Sequence, residues 1–210
     1  YPLVAILRGI RPEETEGVVT ALIEVGFEAI EIPLNSPEPF VSIEKAAKLA
    51  PANVLIGAGT VLSVENVDRL NDVGGRLLVS PNVEPDVIRR ATKHGMVTMP
   101  GVFTPTEAFS AIHAGASALK FFPASVLGAD GIKAISAVLP KGIPVGAVGG
   151  VSENDFATYR AAGVSCFGLG SSLYKAGLTV ADVRERAQRA VEAWEDRKST
   201  RLNSSHVEIS

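Results

Sequence analysis

Pro105-Thr106-Glu107-Ala108-Phe109-Ser110-Ala111-Ile112-His113-Ala114-Gly115-Ala116-Ser117-Ala118-Leu119-Lys120-Phe121-Phe122-Pro123 holds one complete phrase of a pattern that runs the length of the chain. Helical spacing covers Pro105 to Ala114, and Gly115 stands where a left-handed cap closes a helix. After it a short apolar run, Ala118–Phe122, ends at a proline and reads as a buried strand. The phrase recurs at Val25-Gly26-Phe27, His94-Gly95-Met96 and Ala162-Gly163-Val164, and Gly74 closes another helix. Strands are expected over 3–7, 29–33, 54–58, 77–80, 97–100, 118–122, 144–148 and 166–169. Helices are expected between them, among others over 12–25, 64–73, 85–94, 105–114, 131–139 and 153–162. Strands that alternate with helices at a spacing of roughly two dozen residues pair in parallel through right-handed crossovers. The count predicts an α/β fold, a single (β/α)8 TIM barrel. An open doubly wound sheet would leave edge strands, and the first strand lacks the dinucleotide glycine fingerprint.

Composition fits that reading. The chain has 210 residues, 46% hydrophobic and 20% charged, enough for one domain with a sizeable core. A net charge of −3 leaves no electrostatic footprint for nucleic acid. There is neither an apolar run of membrane-span length nor a signal-peptide pattern, so no membrane partner is expected. Cys166 is the one cysteine, which rules out an internal disulfide and suits a reducing compartment, hence a cytoplasmic location. The chain opens at Tyr1 without a methionine, as a trimmed start would. A last helix is expected from about Val180 to Arg197, with Trp194 as a packing residue. The barrel domain is thus placed at 1–197. The polar, aperiodic Ser199-Thr200-Arg201-Leu202-Asn203-Ser204-Ser205-His206 assigns 198–210 to an unstructured tail or non-native scar.

Alternation along the quoted strand puts Leu119 and Phe121 on one face, with Ala118, Lys120 and Phe122 on the other. An amine kept among apolar side chains loses part of its charge preference and becomes a nucleophile near neutral pH. The competing structural reading is a lysine that reaches water or pairs with a carboxylate such as Glu31. In a barrel the site lies at the C-terminal strand ends. There the chain places Arg8, Glu31, Thr60, Pro81 and Lys120, four of them polar. A structural Glu31–Lys120 pair would not explain why Arg8 and Thr60 join them. The last two strands end in the turns Val148-Gly149-Gly150-Val151-Ser152 and Gly168-Leu169-Gly170-Ser171-Ser172. Glycine turns after strands seven and eight are where barrels bind phosphate, so Gly149, Gly150, Gly170 and Ser171 are candidate phosphate contacts. His94, His113 and His206 lie away from the strand ends, no residues show metal-ligand spacing, and no cofactor is called for. Cys166 reads as a small core residue and Asp130 as the cap of a helix.

Ile6-Leu7-Arg8-Gly9, Glu31-Ile32-Pro33-Leu34-Asn35-Ser36, Gly57-Ala58-Gly59-Thr60-Val61, Ser80-Pro81-Asn82, Leu119-Lys120-Phe121-Phe122-Pro123 and Val148-Gly149-Gly150 together resemble the 2-keto-3-deoxy-6-phosphogluconate and 6-phosphogalactonate aldolases. The likeness runs in order from Tyr1 to about Trp194. It implies a metal-free class I aldolase, a homotrimer, acting on a small phosphorylated 2-keto-3-deoxy sugar acid. By the same resemblance Lys120 is the Schiff-base lysine and Glu31 the general acid/base. Arg8 and Thr60 hold the pyruvoyl carboxylate, Pro81 packs near the pyruvate carbons, and Gly149, Gly150, Gly170 and Ser171 hold the phosphate. The phosphogluconate branch usually carries arginine at Asn35 and threonine at Val148. The string Glu31–Ser36 resembles the phosphogalactonate branch, which serves galactonate breakdown. The family's short helix ahead of the first strand has no counterpart here. Two other classes fit the residues: an isomerase or epimerase in which Lys120 is only an electrostatic partner, and a phosphometabolite-binding protein without turnover.

Overall fold

The computed structural model describes the backbone of residues 1–206 and the side chains of residues 1–196. Strands β1 (Leu3–Ile6), β2 (Ala29–Pro33), β3 (Leu55–Gly59), β4 (Leu77–Ser80), β5 (Val97–Val102), β6 (Leu119–Phe121), β7 (Val145–Val148) and β8 (Cys166–Leu169) alternate with helices. These are α1 (Pro12–Val25), α2 (Pro39–Leu49), α3 (Val64–Asp72), α4 (Pro85–Lys93), α5 (Pro105–His113), α6 (Ala124–Ser136), α7 (Phe156–Ala161) and α8 (Val180–His206). Each strand pairs in parallel with the next, and β8 returns to β1, so the barrel is closed.

The unit quoted from the sequence shows how local chemistry builds the repeat. The Thr104 hydroxyl accepts from the Glu107 N–H (3.3 Å), and the Glu107 carboxylate accepts from the Phe103 N–H (3.2 Å), which fixes the start of α5. Gly115, at φ 100°, turns the chain out of the helix while the Ala116 N–H bonds back to the Ala111 carbonyl at 3.1 Å. Three residues after Ala116, β6 begins at Leu119.

Period-two alternation sorts the strand residues into two apolar layers. Leu3, Ala5, Ile30, Ile32, Ile56, Ala58, Leu78, Leu119, Phe121, Ala147, Phe167 and Leu169 face the helices. Ile6, Leu77, Val79, Met99 and Val148, with Val4, Ala29, Leu55, Ala118, Phe122 and Cys166 against them, fill the barrel interior. Trp194 of α8 sets its edge against Phe156 and Phe167, with ring centroids 5.8 and 6.2 Å away, and holds the last helix to the wall.

Three elements differ from expectation. The helix α2, absent from the list drawn from the sequence, starts at Pro39, whose fixed φ suits a first helical position. The sixth helix begins at Ala124 instead of Gly131, directly after Pro123, and Gly128 (φ 75°, ψ 164°) divides it. Asp130 lies in the first turn of the segment that follows Gly128, so the helix expected from about Gly131 is that second segment. Finally, α8 continues to His206, past Arg197 where the apolar period stops. Once a helix is nucleated each further residue adds a backbone hydrogen bond, so a segment without an apolar period can extend it. The rest of the expected tail, 207–210, lies outside the described residues.

Candidate active site

A cavity of about 790 Å³ opens at the C-terminal ends of the strands. Arg8, Glu31, Thr60, Lys120, Gly149, Gly150, Gly170 and Ser171 all line it, so eight of the nine residues picked from the sequence meet there. Pro81 is not among the lining residues. It sits at the end of β4, where a side chain on Gly101 would come within 2.5 Å of its carbonyl carbon, so its backbone packs against β5.

The barrel register explains how a lysine fits inside. Lys120 is paired on one side with Gly101 and on the other with Gly146, so neither neighbouring strand projects a side chain at its level. Its Nζ lies 4.5 Å from the centre of the Phe122 ring, two residues on along the same face. Lys120 is 6% exposed and Glu31 2%. The Glu31 carboxylate lies over Gly59 of the adjacent strand, where a Cβ would fall 2.5 Å from its Cδ. Glycine at this position is what leaves the carboxylate its place.

Burial dominates the electrostatics of both groups. It pushes the Glu31 carboxyl up to about 7, against the opposing pull of Lys120 and Arg8. It pulls the Lys120 amine down to about 8; Glu31 resists that change and Arg8 adds to it. The two groups feel each other through space, yet no ion pair joins them among the described residues, and Glu31 Oε2 is buried with no hydrogen-bond partner. The structural ion pair weighed from the sequence is therefore not what holds them there. An uncommitted carboxylate oxygen and an amine that gives up its proton far more readily than an exposed lysine face the same space.

Arg8 reaches over the mouth, and its Nη1 donates to Asn35 Oδ1 at 2.5 Å. The neighbouring Gly9 N–H donates to Ser36 Oγ at 2.9 Å, so the loops after β1 and β2 are tied together. Asn35 is thus a partner of the site that the sequence marked only as a departure from the phosphogluconate branch. Thr60 sits at φ 55°, a left-handed conformation that costs a β-branched residue of order 1 kcal/mol or more.

Across the cavity, Gly149 and Gly150 take φ 95° and 70°, which keeps the β7 turn tight; a Cβ on Gly150 would sit 2.7 Å from Ser125 Cβ. After β8 the chain coils at once, the Gly170 carbonyl accepting from the N–H groups of Leu173 and Tyr174, both at 2.9 Å. The backbone N–H groups of Gly149, Gly150, Ser171 and Ser172 donate to no other described residue. Ser152 and Ser172, at the ends of the two quoted turns, also line the cavity, as do Tyr174, Lys175 and Ala176, which were missed from the sequence. The loop after β8 has no period that would have placed them. Neither described histidine side chain takes part: His94 binds Asp68 at 2.8 Å beside Arg90 and His113 lies near Phe109, while the side chain of His206 is outside the described residues. Cys166 lies in the barrel interior, its thiol pushed up to about 11 by burial.

Such a site can form an imine with a ketone, relay a proton beside it, and hold an anion at each end. A family model described as "Aldolase: KDPG and KHG aldolase" matches residues 1–189. The chain is 68% identical over 194 residues to the "Probable 2-dehydro-3-deoxy-6-phosphogalactonate aldolase" of Rhizobium meliloti (strain 1021), covering 92% of each chain. A solved structure described as "Native KDPGal structure" superposes with a TM-score of 0.92 at 49% identity, over 93% of this chain and 95% of that one. The KDPG aldolase of Legionella pneumophila, solved "with pyruvate captured at low pH as a covalent carbinolamine intermediate", has a TM-score of 0.78 at 25% identity, over 91% of each chain.

Proposed function

The chain belongs to the KDPG and KHG aldolase family, and from that premise we propose that it cleaves 2-dehydro-3-deoxy-6-phosphogalactonate to pyruvate and D-glyceraldehyde 3-phosphate. The observation that carries the reading is an amine kept dry but open to a cavity, with an uncommitted buried carboxylate beside it.

In this reaction neutral Lys120 attacks the C2 ketone, and loss of water leaves a protonated imine, which draws electrons from the C3–C4 bond. Glu31, as carboxylate, takes the proton of the C4 hydroxyl; the bond breaks to glyceraldehyde 3-phosphate and the enamine of pyruvate. Protonation and hydrolysis of the enamine release pyruvate and return the free amine. Arg8, held by Asn35, and Thr60 grip the carboxylate and so place the keto carbon at the amine. The free N–H groups of the two glycine turns receive the phosphate.

Asn35 and Val148, where the phosphogluconate branch usually carries arginine and threonine, support the galactonate epimer over the gluconate epimer. We take the working unit to be a cytoplasmic homotrimer, supported by the family resemblance; light scattering should then give three times 21.9 kDa.

Pyruvate release from the two C4 epimers, followed through lactate dehydrogenase, tests the substrate. Faster release from the galactonate epimer is expected; faster release from the gluconate epimer would move the chain to the other branch. Borohydride with pyruvate should fix a pyruvate-derived mass on Lys120 and leave the K120A variant unlabelled. Turnover without labelling would refute the imine.

A further inference from the structure

We propose that Lys175 supplies the positive charge at the phosphate end of the cavity, and that it sets the preference for phosphorylated over unphosphorylated sugar acids. The inference rests on the aldolase reading above.

The cavity is lined by three cations, Arg8, Lys120 and Lys175, and one carboxylate, Glu31. The substrate brings a carboxylate and a phosphate near −2. Arg8 is tied to Asn35 at the carboxylate end, and Lys120 reacts as a neutral amine. The turns after β7 and β8 offer N–H donors, which orient an anion but carry no net charge. Without Lys175 the phosphate would enter a partly enclosed space with no counter-charge of its own, an arrangement that costs binding free energy.

Lys175 is built for that task. Its main chain is anchored: the preceding Tyr174 is 4% exposed with its hydroxyl 3.5 Å from Glu14 Oε2, and the Lys175 carbonyl accepts from the Leu178 N–H at 3.2 Å. The next residue, Ala176, has its Cβ 3.4 Å from where a side chain on Gly9 would stand, so the loop leans toward the β1 turn. The ammonium, by contrast, is exposed and bonds to no other described residue. A fixed base with a long free cation can follow a phosphate through binding, cleavage and release. The same freedom is what an ordinary solvated lysine would show, and the two differ in what the charge does to kinetics.

The test compares wild type, K175M and K175R on 2-dehydro-3-deoxy-6-phosphogalactonate and on the same sugar acid without its phosphate. With the phosphorylated substrate K175M should raise KM about tenfold, with kcat within about twofold. It should leave kcat/KM for the unphosphorylated substrate unchanged, and K175R should recover most of the loss. Added salt should weaken binding of the phosphorylated substrate less in K175M than in wild type. Equal losses on both substrates, or none on either, would overturn the role of Lys175 while leaving the aldolase reading intact. A wild-type protein that releases pyruvate from neither substrate would overturn both.

Discussion

Replacing Lys120 by methionine should stabilise this protein while abolishing its turnover. The Lys120 amine is held near 8 by burial, against its ordinary 10.5. At 1.36 kcal/mol per pH unit, that costs the folded state about 3 kcal/mol whenever the group is protonated in both states. The contact of Nζ with the Phe122 ring at 4.5 Å returns about 1 kcal/mol. Methionine fills a similar volume without the charge, so K120M should gain about 2 kcal/mol, or roughly 4–8 °C in melting temperature for a chain of this size. The sign can be followed with pH. The unfolded chain keeps the proton up to 10.5 and the folded one only to about 8, so the cost is complete below 8. Between those values the unfolded state binds more protons, and wild-type stability rises with pH. The advantage of K120M should therefore be full at pH 6, where Glu31 lies below its own raised value of about 7 in the folded state, and should shrink steadily toward pH 10. Urea titrations of both proteins at a series of pH values measure this directly. A K120M protein no more stable than wild type at pH 6, or a gain that persists undiminished at pH 10, would refute the burial cost assigned to this amine.

Further outcomes follow from the same geometry. Cleavage needs both Lys120 and Glu31 unprotonated, so kcat/KM should fall as pH drops through about 8 and then 7, with two ionisations on the acid limb. In E31Q one ionisation should vanish and the rate should drop by about 10²–10⁴-fold, as measured by pH–rate profiles of the two proteins. Thr60 holds φ 55°, where asparagine is far more at ease than a β-branched residue. T60N should therefore raise thermal stability by about 0.5–1 kcal/mol and also raise KM; lower stability would contradict the strain assigned to this position.

Much of the fold was legible because its signals are local. Pro105 and Gly115 bracket a helix by their own backbone preferences, and the phrase they form repeats until a barrel is required. Period two along β6 placed Lys120 with Ala118 and Phe122 inside, as observed. The bounds of α2 were not read because the two prolines of Ser36-Pro37-Glu38-Pro39 obscure its start, and the first segment of α6 went unread because Pro123 serves at once as strand end and helix entry.

By itself, then, the sequence determined the order of elements, the face each strand turns inward, and which polar residues stand at the strand ends, since these depend on spacing over a few residues. Only the tertiary structure decided that Glu31 and Lys120 share a space without pairing, that Lys175 lines it, and that Asn35 bonds to Arg8 at its edge. Those are distances between residues far apart in the chain. They are set by how eight strands close and by where glycines such as Gly59, Gly101 and Gly146 leave room, and no periodicity along the chain encodes them.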